Sequence, residues 1–345
     1  MNTRFEVTIG IPVFKSVMYI EASLLSALNQ TFKDIEFLIV DDCGNDGSMD
    51  IVSNIQKCHA RGCNIYVLTN DTNYGVGYSR NRIIDEAKGR FLYFMDSDDT
   101  IEPDTIQLLY DAVCINDAQI AYGSYEIIDN IGNAPNELYQ KDSLVLKGKD
   151  KLALFAFKNN KKFHVSVCNN LVDLAFLRHT NIKFIDASYW EDMVYTTELV
   201  TKVDCAVLLS NITYHYIRHA ESLSHYQNRD VFEKRELLNN ISVLCYMKEK
   251  CLEHRGKMYL PYLCYNLEMI SFYMVCTILR HSHNIVPKFS IKEIKSIMRY
   301  PLPFSFVFSF KEKKIPNFMF ALLSFMPTGL FLPSIWSLGK MKRAI

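Results

Sequence analysis

The chain has 345 residues, of which 49% are hydrophobic and 22% are charged, a balance that suits a chain able to bury a core. With no low-complexity tract and no fixed repeat, this composition excludes disordered and fibrous proteins. The net charge of zero hides an asymmetry, because residues 1–228 carry 20 basic and 30 acidic side chains, whereas residues 229–345 carry 18 and 8. Length and charge therefore predict two modules with different partners.

The first hundred residues alternate between short apolar runs and segments with helical spacing of apolar side chains. Buried strands are predicted at Val7–Val13, Phe37–Val40, Ile65–Leu68 and Phe91–Met95. Helices are predicted over Ile20–Leu28, from a Ser48 cap toward Ala60, over Ser79–Lys88, and from Pro103 onward. Such alternation predicts an α/β fold with a mostly parallel sheet covered by helices on both faces.

Acidic side chains follow two of the predicted strands, Asp41 and Asp42 after one and Asp96, Asp98 and Asp99 after another. Ligands of open parallel sheets bind outside the carboxyl ends of the strands, and clustered carboxylates repel each other unless a cation joins them. Mg²⁺ or Mn²⁺ suits such oxygens and commonly shares phosphate oxygens with a substrate. The pattern indicates binding of a metal and a nucleoside diphosphate, although Asp98 or Asp99 could instead cap the next helix.

Two common phosphate-binding motifs do not fit. The sequence has no P-loop motif, and Gly75-Val-Gly77-Tyr-Ser-Arg80 departs from a dinucleotide fingerprint because Arg80 stands where the third glycine belongs. Dinucleotide binding is therefore disfavoured.

Five ordered blocks together resemble the inverting family 2 glycosyltransferases of the GT-A fold, of the type that builds bacterial polysaccharide, O-antigen or capsule. The blocks are Val7–Phe14, Ser26–Thr31, Val40–Asp42, Asn73–Gly75 with Ser79–Asn81, and Gly89–Asp99. The resemblance covers residues 5–105 well and residues 160–225 more loosely. It implies a GT-A catalytic domain at 1–228, with a nucleotide-sugar-binding half at 1–125 and an acceptor half at 126–228. A helical region at 229–345 would follow.

The resemblance assigns the donor site. It implies that Asp42, with Asp41 as the alternative, accepts a hydrogen bond from a uracil-type ring. Arg80 would pair with the diphosphate or with Asp96, unless it is a surface side chain of its helix. The donor-binding residues that the resemblance implies are Pro12, Val13, Phe14, Asp41, Asp42, Asn73, Gly75, Arg80, Asp96, Ser97 and Arg218.

Asp96-Ser97-Asp98 is similar to the D-x-D metal motif of the family. By that similarity Asp98 would be the main contact of Mn²⁺ or Mg²⁺, and Asp96 would hold the ribose or the coordination shell. Asp99 is a second metal candidate, because the acidic run leaves the register ambiguous.

Glu191 and Asp192 directly precede a segment with helical spacing, as the acidic pair of the family does. The resemblance implies that Asp192 is the general base and that Glu191 orients it or touches the acceptor. Alternatively, the pair complements a helix dipole. By the same resemblance Val165–Leu171 would lie around the acceptor, and Trp190, after Tyr189, could stack on a sugar face or be a core or rim aromatic. In the segment Tyr214–Arg218, which Ser222–Ser224 follows, Arg218 and His215 could close over the diphosphate or be strand residues that face solvent. Attack by the activated acceptor hydroxyl would invert the anomeric configuration.

The back third combines helical spacing with basic and apolar clusters, and residues 230–280 predict a helical bundle. The uncharged stretch Asn317–Gly339 is long enough to span a bilayer, but Pro327 and Pro333 interrupt it. An interfacial arrangement on anionic lipid is favoured, with a spanning helix and a soluble subdomain or dimer contact as alternatives. No nucleic-acid motif is present.

These features predict a cytoplasmic protein on the cytoplasmic face of the inner membrane. No secretory signal opens the sequence, and the ten cysteines form no C-x-x-C pair, which is typical of free thiols in a reducing compartment. The predicted reaction moves a hexose or N-acetylhexosamine from a nucleotide-diphosphate sugar, with UDP favoured, to a saccharide or polyprenyl-linked acceptor.

Three other classes fit part of the pattern. Met95–Thr100 matches the signature of haloacid dehalogenase phosphatases, but that motif normally follows the first strand. A sugar-nucleotide nucleotidyltransferase would leave Glu191-Asp192 unexplained. A non-catalytic, membrane-associated binding protein would need broken metal or base residues, and these are intact.

Overall fold

The computed structural model describes residues 5–129, 136–159, 167–187, 190–219 and 233–342. The chain divides into two compact units, Met1–Ser222 and Leu223–Ile345. The predicted domain boundary at residue 228 lies outside the described residues, and each unit is taken here by itself.

The first unit opens with the predicted alternation of strands and helices. Its first elements are β1 (Phe5–Val13), α1 (Ile20–Leu28), β2 (Ile35–Asp41), α2 (Ser48–Cys58), β3 (Ile65–Thr69), α3 (Val76–Glu86) and β4 (Gly89–Phe94). The strands pair in parallel in the order β3-β2-β1-β4. Val13 lies opposite Asp41, and Gly10 lies opposite Phe94. The carboxyl ends of β1, β2 and β4 therefore meet at one sheet edge, and the predicted strands are confirmed.

Helices α2 and α3 each begin directly after a glycine with positive φ, and both starts differ from the predictions. Gly47, with φ 92°, directly precedes α2, and the Ser48 hydroxyl donates to Asp46 Oδ1 at 2.6 Å, so Ser48 is not the cap. Helix α3 begins at Val76 because Gly75 turns the chain with φ 89°, and its N–H donates to Asp42 Oδ2 at 2.8 Å. Glycine adopts positive φ without steric cost.

The second half of the sheet is mixed. Its elements are β5 (Thr100–Ile101), α4 (Thr105–Asn116), β6 (Ile120–Asp129), β7 (Glu137–Tyr139), β8 (Leu144–Lys147), α5 (Lys151–Lys158), β9 (Asn170–Asp173), α6 (Leu174–Thr180), α7 (Glu191–Lys202) and β10 (Cys205–Arg218). The full order is β3-β2-β1-β4-β9-β6-β10-β5, with β7 on β6 and β8 on β10. Strand β9 is antiparallel to both β4 and β6. The fold is α/β as predicted, but the run of parallel strands ends where β9 enters the sheet.

The second unit is helical in its described part. Its helices are α8 (Lys234–Lys250), α9 (Leu260–Arg280), α10 (Ile291–Ile297), α11 (Phe304–Ser309), α12 (Lys314–Phe325) and α13 (Thr328–Met341). Helix α9 packs against α8, α10, α12 and α13. It is the one helix of the described residues that is long and apolar enough to cross a membrane, and 61% of its apolar window is buried inside the unit. That burial is typical of a core helix.

An ion pair lies in the core of this second unit. Lys248 Nζ is 2.6 Å from Glu268 Oε1, and Glu268 is fully buried. The same ammonium donates to the carbonyls of Ile297 and Arg299 at 2.8 and 3.0 Å, which ties α8 to the end of α10. Burial raises the pKa of Glu268 to about 7, although Lys248 opposes that shift.

We expect the stability of the second unit to fall as the pH rises from about 5 to 7. The folded-state pKa of Glu268 lies above its ordinary value of 4.5, so in this window the folded state binds more protons than the unfolded state. Each unit of pKa is worth ~1.4 kcal/mol. Glu268→Gln removes the titration. The measurement is amide hydrogen exchange of α9, corrected for the intrinsic exchange rate at each pH. Between pH 5 and 7 the protection of the wild type should decline relative to that of E268Q. Parallel pH profiles of the two proteins would contradict the raised pKa of Glu268.

Candidate functional site

The candidate site lies at the sheet edge where β1, β2 and β4 end. Pro12 and Val13 are buried at the end of β1, and the Asp42 N–H donates to the Val13 carbonyl at 2.9 Å. Phe14 follows them with 41% exposure. These three predicted donor-binding residues thus stand beside Asp41, the last residue of β2, and Asp42.

Asp42 organises the loop that leads into α3. It is 3% exposed, and its Oδ1 accepts hydrogen bonds from Asn70 Nδ2 at 2.7 Å and from the Tyr74 N–H at 3.0 Å. Its Oδ2 accepts from Gly75, whose N–H also reaches Asn73 Oδ1 at 3.0 Å. Asp41 is only half-buried, and its Oδ1 accepts from the Cys43 N–H at 3.0 Å. The protein therefore engages Asp42 much more fully than Asp41.

Arg80 of α3 joins two acidic segments. Its Nη2 is 2.8 Å from Asp96 Oδ1, and its Nη1 is 3.1 Å from Glu191 Oε1. The residue is 6% exposed. Burial by itself would lower the pKa of Arg80. The carboxylates of Asp96 and Glu191 more than offset this effect and raise the pKa above its ordinary value, so the guanidinium stays charged. The predicted pairing with Asp96 is confirmed, and the alternative of a surface arginine is wrong.

Glu191 and Asp192 begin α7 and differ in their surroundings. Trp190, with φ 64°, turns the chain into the helix. Glu191 is 6% exposed, and its burial raises its pKa while Arg80 opposes the shift. Asp192 is exposed, and within the described part of the chain no hydrogen bond or ion pair engages its carboxylate. Glu191 is thus an anchor, whereas Asp192 is open to a ligand.

Strand β10 holds the acidic loop that follows β4. The Tyr214 hydroxyl donates to Asp99 Oδ2 at 2.6 Å and accepts from the Asp96 N–H at 3.3 Å. The Ile217 N–H donates to Asp99 Oδ1 at 2.8 Å. Asp99 is 1% exposed, and burial, with Asp96 and Asp98 nearby, raises its pKa well above the ordinary value. Both oxygens of Asp99 thus accept hydrogen bonds from β10, and its metal role stays a prediction. Asp99 does not cap α4, because Asp104 is the residue that precedes that helix.

Asp98 meets His219, a residue that the sequence analysis did not single out. Asp98 Oδ2 is 2.8 Å from His219 Nε2, and the imidazole stacks on Tyr19 with ring centroids 4.2 Å apart. Burial and Asp96 raise the pKa of Asp98, while His219 opposes that shift. The only signal in the sequence was the position of His219, directly after the segment that contains Arg218.

The two residues of β10 that were predicted to cover the diphosphate have other contacts here. His215 Nε2 is 2.8 Å from Glu102 Oε1, and its Nδ1 is 3.6 Å from Glu126 Oε2. Arg218 Nη1 is 3.9 Å from Glu137 Oε1, with a side chain that is 26% exposed. His215 is therefore held by two glutamates, and the diphosphate role of Arg218 stays a prediction.

Two serines connect the loops of the site. Ser97 Oγ and Ser16 Oγ are 2.6 Å apart, and the Ser16 N–H donates to Ser48 Oγ at 3.0 Å. This chain of contacts links the segments that follow β1, β2 and β4. Val165, Ser166, Tyr189 and Ser222–Ser224 of the predicted acceptor side lie outside the described residues.

Residues 8–177 match the model of glycosyl transferase family 2, and they include the strands, α3 and the acidic loop described above. The chain belongs to glycosyl transferase family 2. The fold of this glycosyltransferase is similar to the crystal structure of S. aureus TarS 1–349 in complex with UDP-GlcNAc, with a TM-score of 0.68 and 17% identity. The match covers 92% of this chain and 90% of TarS 1–349, and the predicted GT-A fold is confirmed.

Two relatives of this family 2 enzyme show how far the similarity extends. An uncharacterized glycosyltransferase of Haemophilus influenzae is 26% identical, over 61% of this chain and 78% of its own length. The UDP-Glc:alpha-D-GlcNAc-diphosphoundecaprenol beta-1,3-glucosyltransferase WfgD of Escherichia coli is 32% identical, over 36% of this chain and 47% of its own length. The aligned region thus spans less than half of WfgD. The family decides against the phosphatase and nucleotidyltransferase alternatives.

Arg80→Met should destabilise the protein and lower its transferase activity. The substitution leaves the buried carboxylate of Glu191 and the partly exposed carboxylate of Asp96 without their cation. Removing one partner of a buried ion pair costs about 3–5 kcal/mol of unfolding free energy. Arg80→Lys should give an intermediate loss, because one ammonium cannot reproduce the planar fork of a guanidinium. Arg90, half-exposed and 3.9 Å from Glu6, supplies the matched control. Thermal unfolding should show R90M near wild type, and equal midpoints for R80M and R90M would contradict the role of Arg80.

Proposed function

We propose that this glycosyltransferase moves a hexose or N-acetylhexosamine from a UDP-sugar to a hydroxyl of a saccharide or polyprenyl-linked saccharide, with inversion, in the synthesis of cell-wall or surface polysaccharide. The complexes of TarS with UDP-GlcNAc and UDP support a UDP donor, and the name of WfgD supports a lipid-linked acceptor. The observation that carries the proposal is the exposed carboxylate of Asp192, directly beside Glu191, which Arg80 anchors to the acidic loop.

Asp192 is the proposed general base. Its carboxylate takes the proton of the acceptor hydroxyl while that oxygen attacks the anomeric carbon. The bond between this carbon and the diphosphate oxygen breaks, and UDP leaves with the bonding electrons. A single displacement from the opposite face inverts the configuration and needs no nucleophile from the protein. Glu191, fixed by Arg80, holds the start of α7 so that Asp192 keeps its orientation during the attack.

Asp41 is the proposed partner of the uracil ring, in place of Asp42. The Asp42 carboxylate already accepts three hydrogen bonds and is 3% exposed, whereas Asp41 accepts one and is half-buried. A carboxylate offers about four acceptor positions, so Asp41 has more of them left for the ring N–H. Phe14, exposed at 41%, is the proposed apolar wall.

Asp98 and His219 are the residues that fit a divalent cation. Within the ranges that the structure describes, no three His, Cys, Asp or Glu groups converge on one point, so the protein would supply two ligands. Diphosphate oxygens and water would complete the shell, as is common for such ions. A carboxylate with an imidazole suits Mn²⁺ better than Mg²⁺, which prefers oxygen ligands. When bound, the ion would offset the negative charge on the leaving diphosphate.

Calorimetry should show that UDP binds more tightly than GDP or CDP and that Mn²⁺ strengthens its binding. Asp98→Asn and His219→Ala should each remove most of the Mn²⁺ effect, and Asp104→Asn, at an exposed aspartate, should not. Because the pKa of Asp98 is raised, its proton persists to higher pH, and the Mn²⁺ effect should weaken as the pH falls. If UDP binds with the same affinity with and without Mn²⁺, the metal assignment is wrong and the donor assignment stands. If no nucleotide binds, the nucleotide-sugar donor is wrong and a different ligand is favoured.

Asp192→Asn should reduce transfer about 1,000-fold and leave UDP affinity unchanged, because the base touches the acceptor and not the nucleotide. Asp186→Asn is the matched control, since Asp186 is also exposed and lies shortly before α7. Transfer of radiolabelled sugar from a panel of UDP-sugars to bacterial lipid extract provides the readout. Full transfer by D192N would contradict the assignment of the base.

A further inference from the structure

Helix α12 exposes apolar side chains along one face. Residues separated by three or four positions lie on the same side of a helix. The exposed apolar residues of α12 with this spacing are Ile315, Phe318, Met319, Leu322 and Phe325, which are 37–75% exposed. The opposite side of α12 is buried, at Asn317, Ala321 and Leu323. A surface helix of a soluble protein normally has a polar outer face, so this outer face needs an apolar environment.

Helix α11 extends this surface, and α13, the next helix along the chain after α12, exposes further apolar side chains. Phe308 of α11 is 56% exposed, and its ring centroid is 6.1 Å from that of Phe318 on α12. Leu330 and Trp336 of α13 are 61% and 49% exposed. We call the exposed apolar side chains of α11, α12 and α13 the apolar patch. Large apolar patches on a protein surface mark sites of contact with a partner or a membrane.

The charged residues of the segment that carries the apolar patch are almost all basic. The segment 304–342 contains five lysines and one glutamate, for a net charge of +4. Lys311, between α11 and α12, and Lys314, the first residue of α12, are exposed, and Lys340 Nζ lies 3.5 Å from the centroid of the Trp336 ring. Aromatic and aliphatic side chains bordered by lysines are typical of helices that lie in the interface of an anionic membrane.

The alternatives fit the same features less well. Helices α12 and α13 have 12 and 14 residues, fewer than the about 20 that cross a bilayer. A second copy of the chain on the same patch would bring two surfaces of net charge +4 together. An anionic bilayer is complementary to both the apolar and the basic part of the surface.

We propose that the apolar patch docks the protein on an anionic lipid bilayer. The apolar side chains of α11, α12 and α13 enter the boundary of the acyl chains, and the lysines contact the headgroups. The proposal depends on the second unit alone and would stand if the proposed reaction were wrong.

Sedimentation of the full chain with vesicles tests the docking. We expect binding to vesicles of equal parts phosphatidylcholine and phosphatidylglycerol, weakened by salt, and little binding to phosphatidylcholine alone. Ile315→Ser with Leu322→Ser should weaken binding at least ~10-fold. Ile115→Ser is the matched control, since Ile115 of α4 is 81% exposed in the first unit, and it should bind as wild type does. Wild-type binding by the double variant would overturn the proposal.

The lysines give a second, independent test. Lys311→Gln with Lys314→Gln should weaken binding to the anionic vesicles by ~25-fold, about fivefold for each charge. Lys33→Gln with Lys57→Gln, at exposed lysines of the first unit, should change nothing. Equal effects of the two pairs, or equal binding to neutral and anionic vesicles, would overturn the assignment to anionic lipid.

Fluorescence and sedimentation velocity complete the design. Trp190→Phe leaves Trp336 as the sole tryptophan, and its emission should shift to shorter wavelength when anionic vesicles are added. Without vesicles, wild type and the Ile315→Ser, Leu322→Ser variant should sediment as the same species. A dimer that this variant dissociates would overturn the proposal, because the patch would then be covered by a second copy.

Discussion

The candidate site depends on one buried guanidinium. Arg80 binds Asp96, which follows β4, and Glu191, which begins α7, so a single side chain holds two segments that are distant in sequence. A buried arginine keeps its charge, and each of its carboxylate partners would be costly to bury alone. Asp98, two residues after Asp96, and Asp192, directly after Glu191, are thereby held in place, Asp98 partly exposed beside His219 and Asp192 exposed.

The acidic pairs along the sheet edge show the same arrangement, in which one carboxylate is bound by the protein and its neighbour is more open. At each acidic pair, one carboxylate accepts hydrogen bonds from the protein and the adjacent one is less engaged. Asp99 binds Tyr214 and Ile217 while Asp98 faces His219, and Asp42 holds the Gly75 loop while Asp41 remains half-buried. A buried carboxylate must be hydrogen-bonded or paired, so each anchor also orders a loop. The acidic clusters are therefore structural and functional at once.

The second unit distributes polarity in an unusual way. The ion pair of Lys248 with Glu268 lies in its core, and α12 exposes apolar side chains. A buried ion pair stabilises little by itself, but it restricts how the helices can pack, since each charge must meet its partner. The second unit therefore has a core whose packing is fixed by an ion pair and an outer face of apolar side chains. The docking proposal rests on that outer face.

The sequence by itself determined the alternation of strands and helices, the acidic clusters at strand ends and the candidates Arg80, Asp98, Glu191 and Asp192. Periodicity and local spacing suffice for the strands, the helices and the acidic clusters, because these arise from neighbouring residues, whereas the resemblance to the family supplied the four candidates. Only the tertiary structure decided which carboxylate of each pair is an anchor, that β9 reverses direction, and that His219 meets Asp98. The contacts responsible join residues 111 and 121 positions apart, as in Arg80 with Glu191 and Asp98 with His219. Such contacts depend on how the whole sheet packs, and no local pattern encodes them.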